Sequence, residues 1–203
     1  VIAQSGVCDT TACDQSIPLG DGSGIDFVLI KEGFEPLGQY QIHQDFYMMT
    51  VEVTQNMFHE LLGFYAHDDI SNLPDGYINN DLPAGGMSWF EAAFFANALT
   101  DRHNAIYPDS LDFCYDCEDD NGVIYCTESL PPKACNGYSL PTEAEWMYAA
   151  RSHSPTDFWT GGGSDGGGSA SSIDVCGNRI DDTTVTILDG DFNPPLSFYA
   201  WFC

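Results

Sequence analysis

The chain has 203 residues, 43% of them apolar, which suffices for one domain with a sizeable core and argues against wholesale disorder. Thirty-one acidic residues face five basic ones (Lys31, Arg102, Lys133, Arg151 and Arg179), for a formal charge of −26. Such a surface repels phosphate backbones, which excludes nucleic acid as a partner, and no apolar run approaches the roughly 18 residues of a membrane span.

Residues 1–24 are rich in Gly, Ser and Asp and read as an N-terminal arm pinned by Cys8 and Cys13. Polar residues set in as early as Gln4, the pattern of an already processed N-terminus. The stretches from Ile25 to Ile30 and from Phe46 to Val51 read as strands. Thr54 caps a short helix through Leu62, which Gly63 stops. Residues 66–86 are a loop rich in Asp, Asn, Pro and Gly. Ser88-Trp89-Phe90-Glu91 is a capping box that opens a helix to about Arg102. Its body, from Ala92 to Leu99, is apolar nearly all round and is expected to be buried. Thr142-Glu143-Ala144-Glu145 is a second capping box, opening a helix through about Arg151. A glycine-rich loop follows from Gly161 to Ser169, and the remainder is acidic and turn-rich. Trp89, Phe90, Phe94, Phe95, Trp146 and Tyr148 are assigned to the core around the two helices. Core packing is also favoured for Trp159 and Trp201 over stacking on a sugar or a partner chain.

Eight cysteines are present, and one pairing follows from local geometry. Asn121-Gly122 is a strong two-residue hairpin signal. With those residues as the turn, facing residues have numbers that sum to 243, so Cys117 faces Cys126. Counting outward from Asp120 and Val123, that pair falls at a non-hydrogen-bonded position, where Cα atoms approach to about 4.5 Å. A disulfide fits this spacing. The expected set is therefore Cys117–Cys126, with Cys114–Cys135 closing outside it, and Cys8–Cys13 and Cys176–Cys203 completing it. The rival is zinc on Cys114, Cys117, Cys126 and Cys135, but the last spacing is wrong for a paired-knuckle ribbon and no histidine lies close. Bridges imply an oxidising compartment: secreted, periplasmic or cell-surface.

Three ordered motifs then carry a resemblance. The segment from Gly137 to Arg151, Gly-Tyr-Ser-Leu-Pro-Thr-Glu-Ala-Glu-Trp-Met-Tyr-Ala-Ala-Arg, resembles the signature of the formylglycine-generating enzyme, or sulfatase-modifying-factor, family. Glu52-Val53-Thr54-Gln55 is similar to its early motif. Leu82-Pro83 through Met87-Ser88-Trp89-Phe90-Glu91-Ala92 is similar to its helix opening. The resemblance implies an irregular, C-type-lectin-like α+β fold with little regular secondary structure, here disulfide-stabilised. It also implies that residues 25–203 form the domain without the family's C-terminal catalytic half. The copper-binding redox cysteine pair of the enzymes lies downstream of the region similar to Tyr199-Ala200-Trp201. The family usually carries Arg where Ser139 stands.

No copper site is therefore expected among these eight cysteines. Nor do His43, His59, His67, His103 and His153 show the compact spacing of an iron site. Asp189, Asp191 and Asn193 present oxygens at alternate positions, the start of a Ca²⁺ loop, with Asp181 and Asp182 as further candidates. Pro194 stands where an EF-hand needs Gly, and Ala200 where it needs Glu, so any Ca²⁺ site here is irregular. The functional expectation is a non-catalytic extracellular structural or binding module, with a homo-oligomer, a partner chain or a glycan as its contact. The alternatives are a formylglycine-generating oxidase completed elsewhere and a lectin-like glycan binder.

Overall fold

The computed structural model describes residues 3–5, 15–35, 38–66, 80–107, 110–129 and 134–151. Its strands and helices are β1 (Ala3–Ser5), β2 (Gln15–Pro18), β3 (Gly24–Ile30), β4 (Gly33–Phe34), β5 (Gln41–Ile42), β6 (Phe46–Met49), α1 (Gln55–Leu62), α2 (Trp89–Ile106), β7 (Tyr115–Asp120), β8 (Val123–Glu128), β9 (Tyr138–Ser139) and α3 (Glu143–Arg151). The chain divides into two units, residues 1–33 with 42–145, and residues 34–41 with 146–203.

The larger unit is built on a five-stranded sheet of order β2-β3-β6-β1-β9. In β3, Ile25 and Phe27 are buried while Asp26 and Val28 face solvent, the alternation of a strand with one covered face. Strand β6 is central and all four of its side chains are buried. It ends at Met49, two residues before the expected limit, and Val51 is exposed. The helix α2 packs on α1 and on β7, β8 and β9.

Within the expected arm, the described residues 3–5 and 15–24 are part of the folded unit. Strand β1 inserts between β6 and β9, pairing Gln4 with both Tyr47 and Tyr138. Strand β2 pairs with β3, and Ile17 and Leu19 enter the core. Two apolar side chains in a Gly- and Ser-rich stretch suffice to bury an edge strand. The pairing is fixed by side chains of α2 and its C-cap: Arg102 Nε donates to the Pro18 carbonyl at 2.9 Å and the Tyr107 hydroxyl to that of Ser16 at 2.9 Å.

The helix ends follow local chemistry. The Thr54 hydroxyl accepts from the Met57 N–H, and Gly63 closes α1 at φ 77°. Ser88 and Glu91 exchange both bonds of a capping box at 3.2 and 2.6 Å. Thr142 and Glu145 do the same at 2.8 and 3.2 Å. Helix α2 runs a turn beyond Arg102, to Ile106. The extra turn is held by Asn104, whose amide bonds both the N–H and the carbonyl of Leu111, and by the buried His103. The core is aromatic: Phe58 stacks on Phe95 at 5.7 Å and Phe27 lies 5.1 Å from Tyr138. In the smaller unit, the Glu35 amide donates to the Tyr40 carbonyl and the Glu35 carboxylate accepts from the Gln39 amide, forming a turn.

Candidate functional site

The three motif segments meet in space. The Ala84 amide donates to the Val53 carbonyl at 2.8 Å, and the Gln55 amide to that of Leu82 at 2.8 Å. Thr54 and Pro83 form an isolated bridge. Together with Leu140 of the third motif, these segments surround a cavity of about 140 Å³ lined by Glu52, Val53, Pro83, Met87 and Phe95 among others. The third motif is anchored to α2. The Tyr138 amide donates to the Thr100 hydroxyl at 3.1 Å, and Thr100 bonds back to the Ala96 carbonyl. Ser139, where the family usually has Arg, lies buried in β9. Gly137 precedes it because a Cβ there would collide with the Asp112 carbonyl oxygen.

The β7–β8 hairpin has the register that the turn dictates: Asp120–Val123, Asp119–Ile124, Glu118–Tyr125, Cys117–Cys126. Asn121 and Gly122 both take positive φ, 55° and 88°, as a primed turn requires. Cys117 and Cys126 are bonded with their Cα atoms 4.1 Å apart, and Cys114 is bonded to Cys135 at a Cα separation of 5.5 Å. Cys114, Cys126 and Cys135 are buried in the core. The zinc alternative is thereby replaced by two bridges. Cys8, Cys13, Cys176 and Cys203 lie outside the described residues, as do Asp189, Asp191, Asn193, Asp181 and Asp182.

The expected burial of the aromatic residues holds only in part. Phe95 and Tyr148 are buried, but Trp89 is 45%, Phe90 37% and Trp146 50% exposed. Trp89 and Phe90 occupy the first turn of α2, which projects toward the hairpin rather than into the core. Trp89 meets Tyr115 edge-on at 5.6 Å, and Phe90 meets Tyr125 at 5.7 Å. Tyr125 is 57% and Val123 51% exposed. This surface was readable in one respect. If Cys117 and Cys126 point inward, the next facing pair, Glu118 and Tyr125, must point outward. Beside the hairpin base is an open cleft of about 680 Å³, lined by Asn97, Phe113, Asp116 and Glu128 among others. The Asn97 amide fixes β7 there, donating to the Tyr115 carbonyl at 2.8 Å and to Cys117 Sγ at 3.6 Å.

Titration follows these environments. Burial raises the Tyr115 hydroxyl above its ordinary pKa, and its bond from the Leu140 amide partly offsets this. Burial raises Tyr138 further, and its hydroxyl lies 3.0 Å from His103 Nδ1. Asp21 is drawn down to about 2 by hydrogen bonds from Ser23 and Asn56. The Lys31 ammonium at 2.7 Å lowers Asp45. His59 stacks on Tyr65, and His43 is exposed. Among the described residues no three metal-ligating groups cluster, and no helix is long and apolar enough to cross a membrane.

A curated relative, the chaperone protein LppX of Paenibacillus barcinonensis, is 30% identical over 125 residues, covering 59% of this chain and 41% of that protein. The chain therefore spans less than half the length of that relative. Among solved structures, Treponema denticola variable protein 1 is similar at a TM-score of 0.45 and 20% identity, over 70% of this chain and 57% of that one. The family model of the sulfatase-modifying factor enzyme 1-like domain matches residues 11–183, well beyond the three motifs. The α+β, disulfide-stabilised chain belongs to this FGE-sulfatase family.

Proposed function

We propose that this chain is a non-catalytic extracellular binding module on the formylglycine-generating-enzyme scaffold. The observation that carries the reading is the state of the cysteines around the family signature. Cys114, Cys117, Cys126 and Cys135 are all joined in bridges that staple a hairpin to the core. A copper centre for oxygen activation needs a free thiolate pair and an open coordination position. Sulfurs held in structural disulfides supply neither, so these four sulfurs make no such centre, and none of them corresponds to the cysteine pair that the family's enzymes use. The same bridges support a secreted, periplasmic or cell-surface location, since disulfides persist in oxidising compartments. The exposed rings of Trp89, Phe90 and Tyr125 supply the contact surface a binding module needs. A relative that is a chaperone protein favours a polypeptide as the bound partner. Within this reading, Asp189, Asp191 and Asn193 remain proposed Ca²⁺ ligands, and calorimetry with Ca²⁺ should give binding heat that Asp189→Asn abolishes.

The test is incubation of the purified protein with copper, oxygen and a cysteine-containing peptide, followed by mass spectrometry. The module reading predicts unmodified cysteine. Formylglycine in the peptide would overturn it in favour of the family's oxidase activity.

A further inference from the structure

We propose that the outer face of the β7–β8 hairpin, together with the exposed rings of Trp89 and Phe90, docks an extended, lysine- or arginine-rich segment of a partner polypeptide. This names the partner class of the binding module and rests on that reading.

Among the described residues the face is unpartnered. Strands β7 and β8 form a two-stranded sheet on their own. Their inner face sends Tyr115, Cys117, Ile124 and Cys126 to the core. By the period of two, the opposite face carries the pairs Asp116–Thr127, Glu118–Tyr125 and Asp120–Val123. Tyr125 and Val123 stay more than half exposed there, and Phe90 continues the apolar strip at the start of α2, with the exposed Trp89 beside it and edge-on to Tyr115. Aromatic area left in contact with water beside a rigid, disulfide-closed hairpin is unspent binding surface.

Charge selects the occupant. Asp116, Glu118 and Asp120 stand at alternate positions, hence about 7 Å apart along one edge of the strip. An extended chain laid along the hairpin presents its own alternate side chains at the same repeat. No basic residue occurs from 115 to 128, which also holds Asp119 and Glu128. Asp119 and Asp120 accept bonds within the turn. Among the described residues, Asp116, Glu118 and Glu128 have no side-chain hydrogen bond or ion pair. A cationic side chain would find carboxylates on one side and the rings of Tyr125 and Phe90 on the other, the setting of a cation–π contact. The cleft at the hairpin base gives a long side chain room beside Asp116, Glu128 and Phe113. A second copy of a chain of charge −26 fits this face poorly. Protection of a strand edge from aggregation would explain the carboxylates, but not the rings left exposed beside them.

The experiment is fluorescence anisotropy of a labelled (Lys-Thr)4 peptide against the oxidised full chain at low ionic strength. The block isomer Lys4Thr4 and a (Glu-Thr)4 peptide serve as comparisons. The alternating peptide should bind best, and the acidic one not at all. The triple variant Asp116→Asn/Glu118→Gln/Asp120→Asn should weaken binding about tenfold, by loss of several exposed charge pairs. Phe90→Ala/Tyr125→Ala should weaken it about fivefold. A control with the same charge change elsewhere, Asp26→Asn/Glu32→Gln/Asp101→Asn, should change it less than about twofold, since distant exposed charges are screened. All variants are exposed-side-chain changes, and unchanged far-UV dichroism verifies folding. Equal losses in the two triple variants, no loss on removal of the rings, or no binding of the alternating peptide would each overturn the proposal. In that event an unmodified cysteine peptide in the copper assay would still leave the non-catalytic module standing.

Discussion

Removing the two bridges one at a time should destabilise the chain in an order set by loop size. The bridges are nested: Cys117–Cys126 spans a separation of 9 residues inside Cys114–Cys135, which spans 21. On chain entropy alone, closing these loops is worth about 2.7 and about 3.4 kcal/mol. The inner bridge shortens the outer loop to about 14 residues, which makes the outer one worth about 3 kcal/mol when both are present. By the same accounting the inner one is worth about 2.3 and the pair about 5.6 kcal/mol. The double change Cys114→Ala/Cys135→Ala should therefore lower stability by about 3 kcal/mol, and Cys117→Ala/Cys126→Ala by about 2.3. Loss of both approaches the whole stability of an ordinary domain, so the bridge-free chain should be unfolded or nearly so. Urea unfolding followed by tryptophan fluorescence measures each step. A loss below about 1 kcal/mol for the outer pair, or a larger loss for the inner than the outer, would refute the staple argument.

Phe58→Ala should cost about 3–5 kcal/mol in the same unfolding assay, because the ring is fully buried against Phe95 and Phe64. A cost below about 1 kcal/mol would mean the ring is not core. Gly137→Ala should destabilise by about 1–3 kcal/mol or more, since its methyl meets the Asp112 carbonyl, a backbone atom that cannot swing aside. A neutral result would contradict the close approach. Asp21 titrates lower in the folded chain, at about 2, than the 3.8 ordinary for its carboxyl. Its contribution to stability is therefore present above about pH 4 and is lost as the pH falls through about 2. Asp21→Asn should flatten stability against pH in that window, and a carboxyl titrating near 4 by NMR would contradict the bonding to Ser23 and Asn56.

What was legible in the sequence was local. Capping residues declare helix starts within four positions, so Thr54, Ser88 and Thr142 located three helices to the residue. The Asn121-Gly122 turn fixes a hairpin register, and with it which cysteines face each other. Pairing between distant segments leaves no such mark. Nothing in Ala3–Ser5 announces that it enters the sheet between β6 and β9, which is why residues 1–24 read as an arm. Hydrophobicity also says nothing of which end of an apolar helix outruns the core. Trp89 and Phe90 have the same composition signal as the buried Phe95, and differ only by lying in the first turn of α2. The candidate docking face was therefore visible on the hairpin, Tyr125 included, from its register, and invisible at Trp89 and Phe90.

The most direct test of the account is a thiol map of the protein isolated from its producing cells, by alkylation before and after reduction and peptide mass spectrometry. Cys114, Cys117, Cys126 and Cys135 should resist alkylation until reduced, and the native chain should take up no copper(I) at these sulfurs. A native chain in which Cys114 and Cys117 alkylate freely and bind copper(I) would contradict both bridges and make the hairpin itself a redox-metal site.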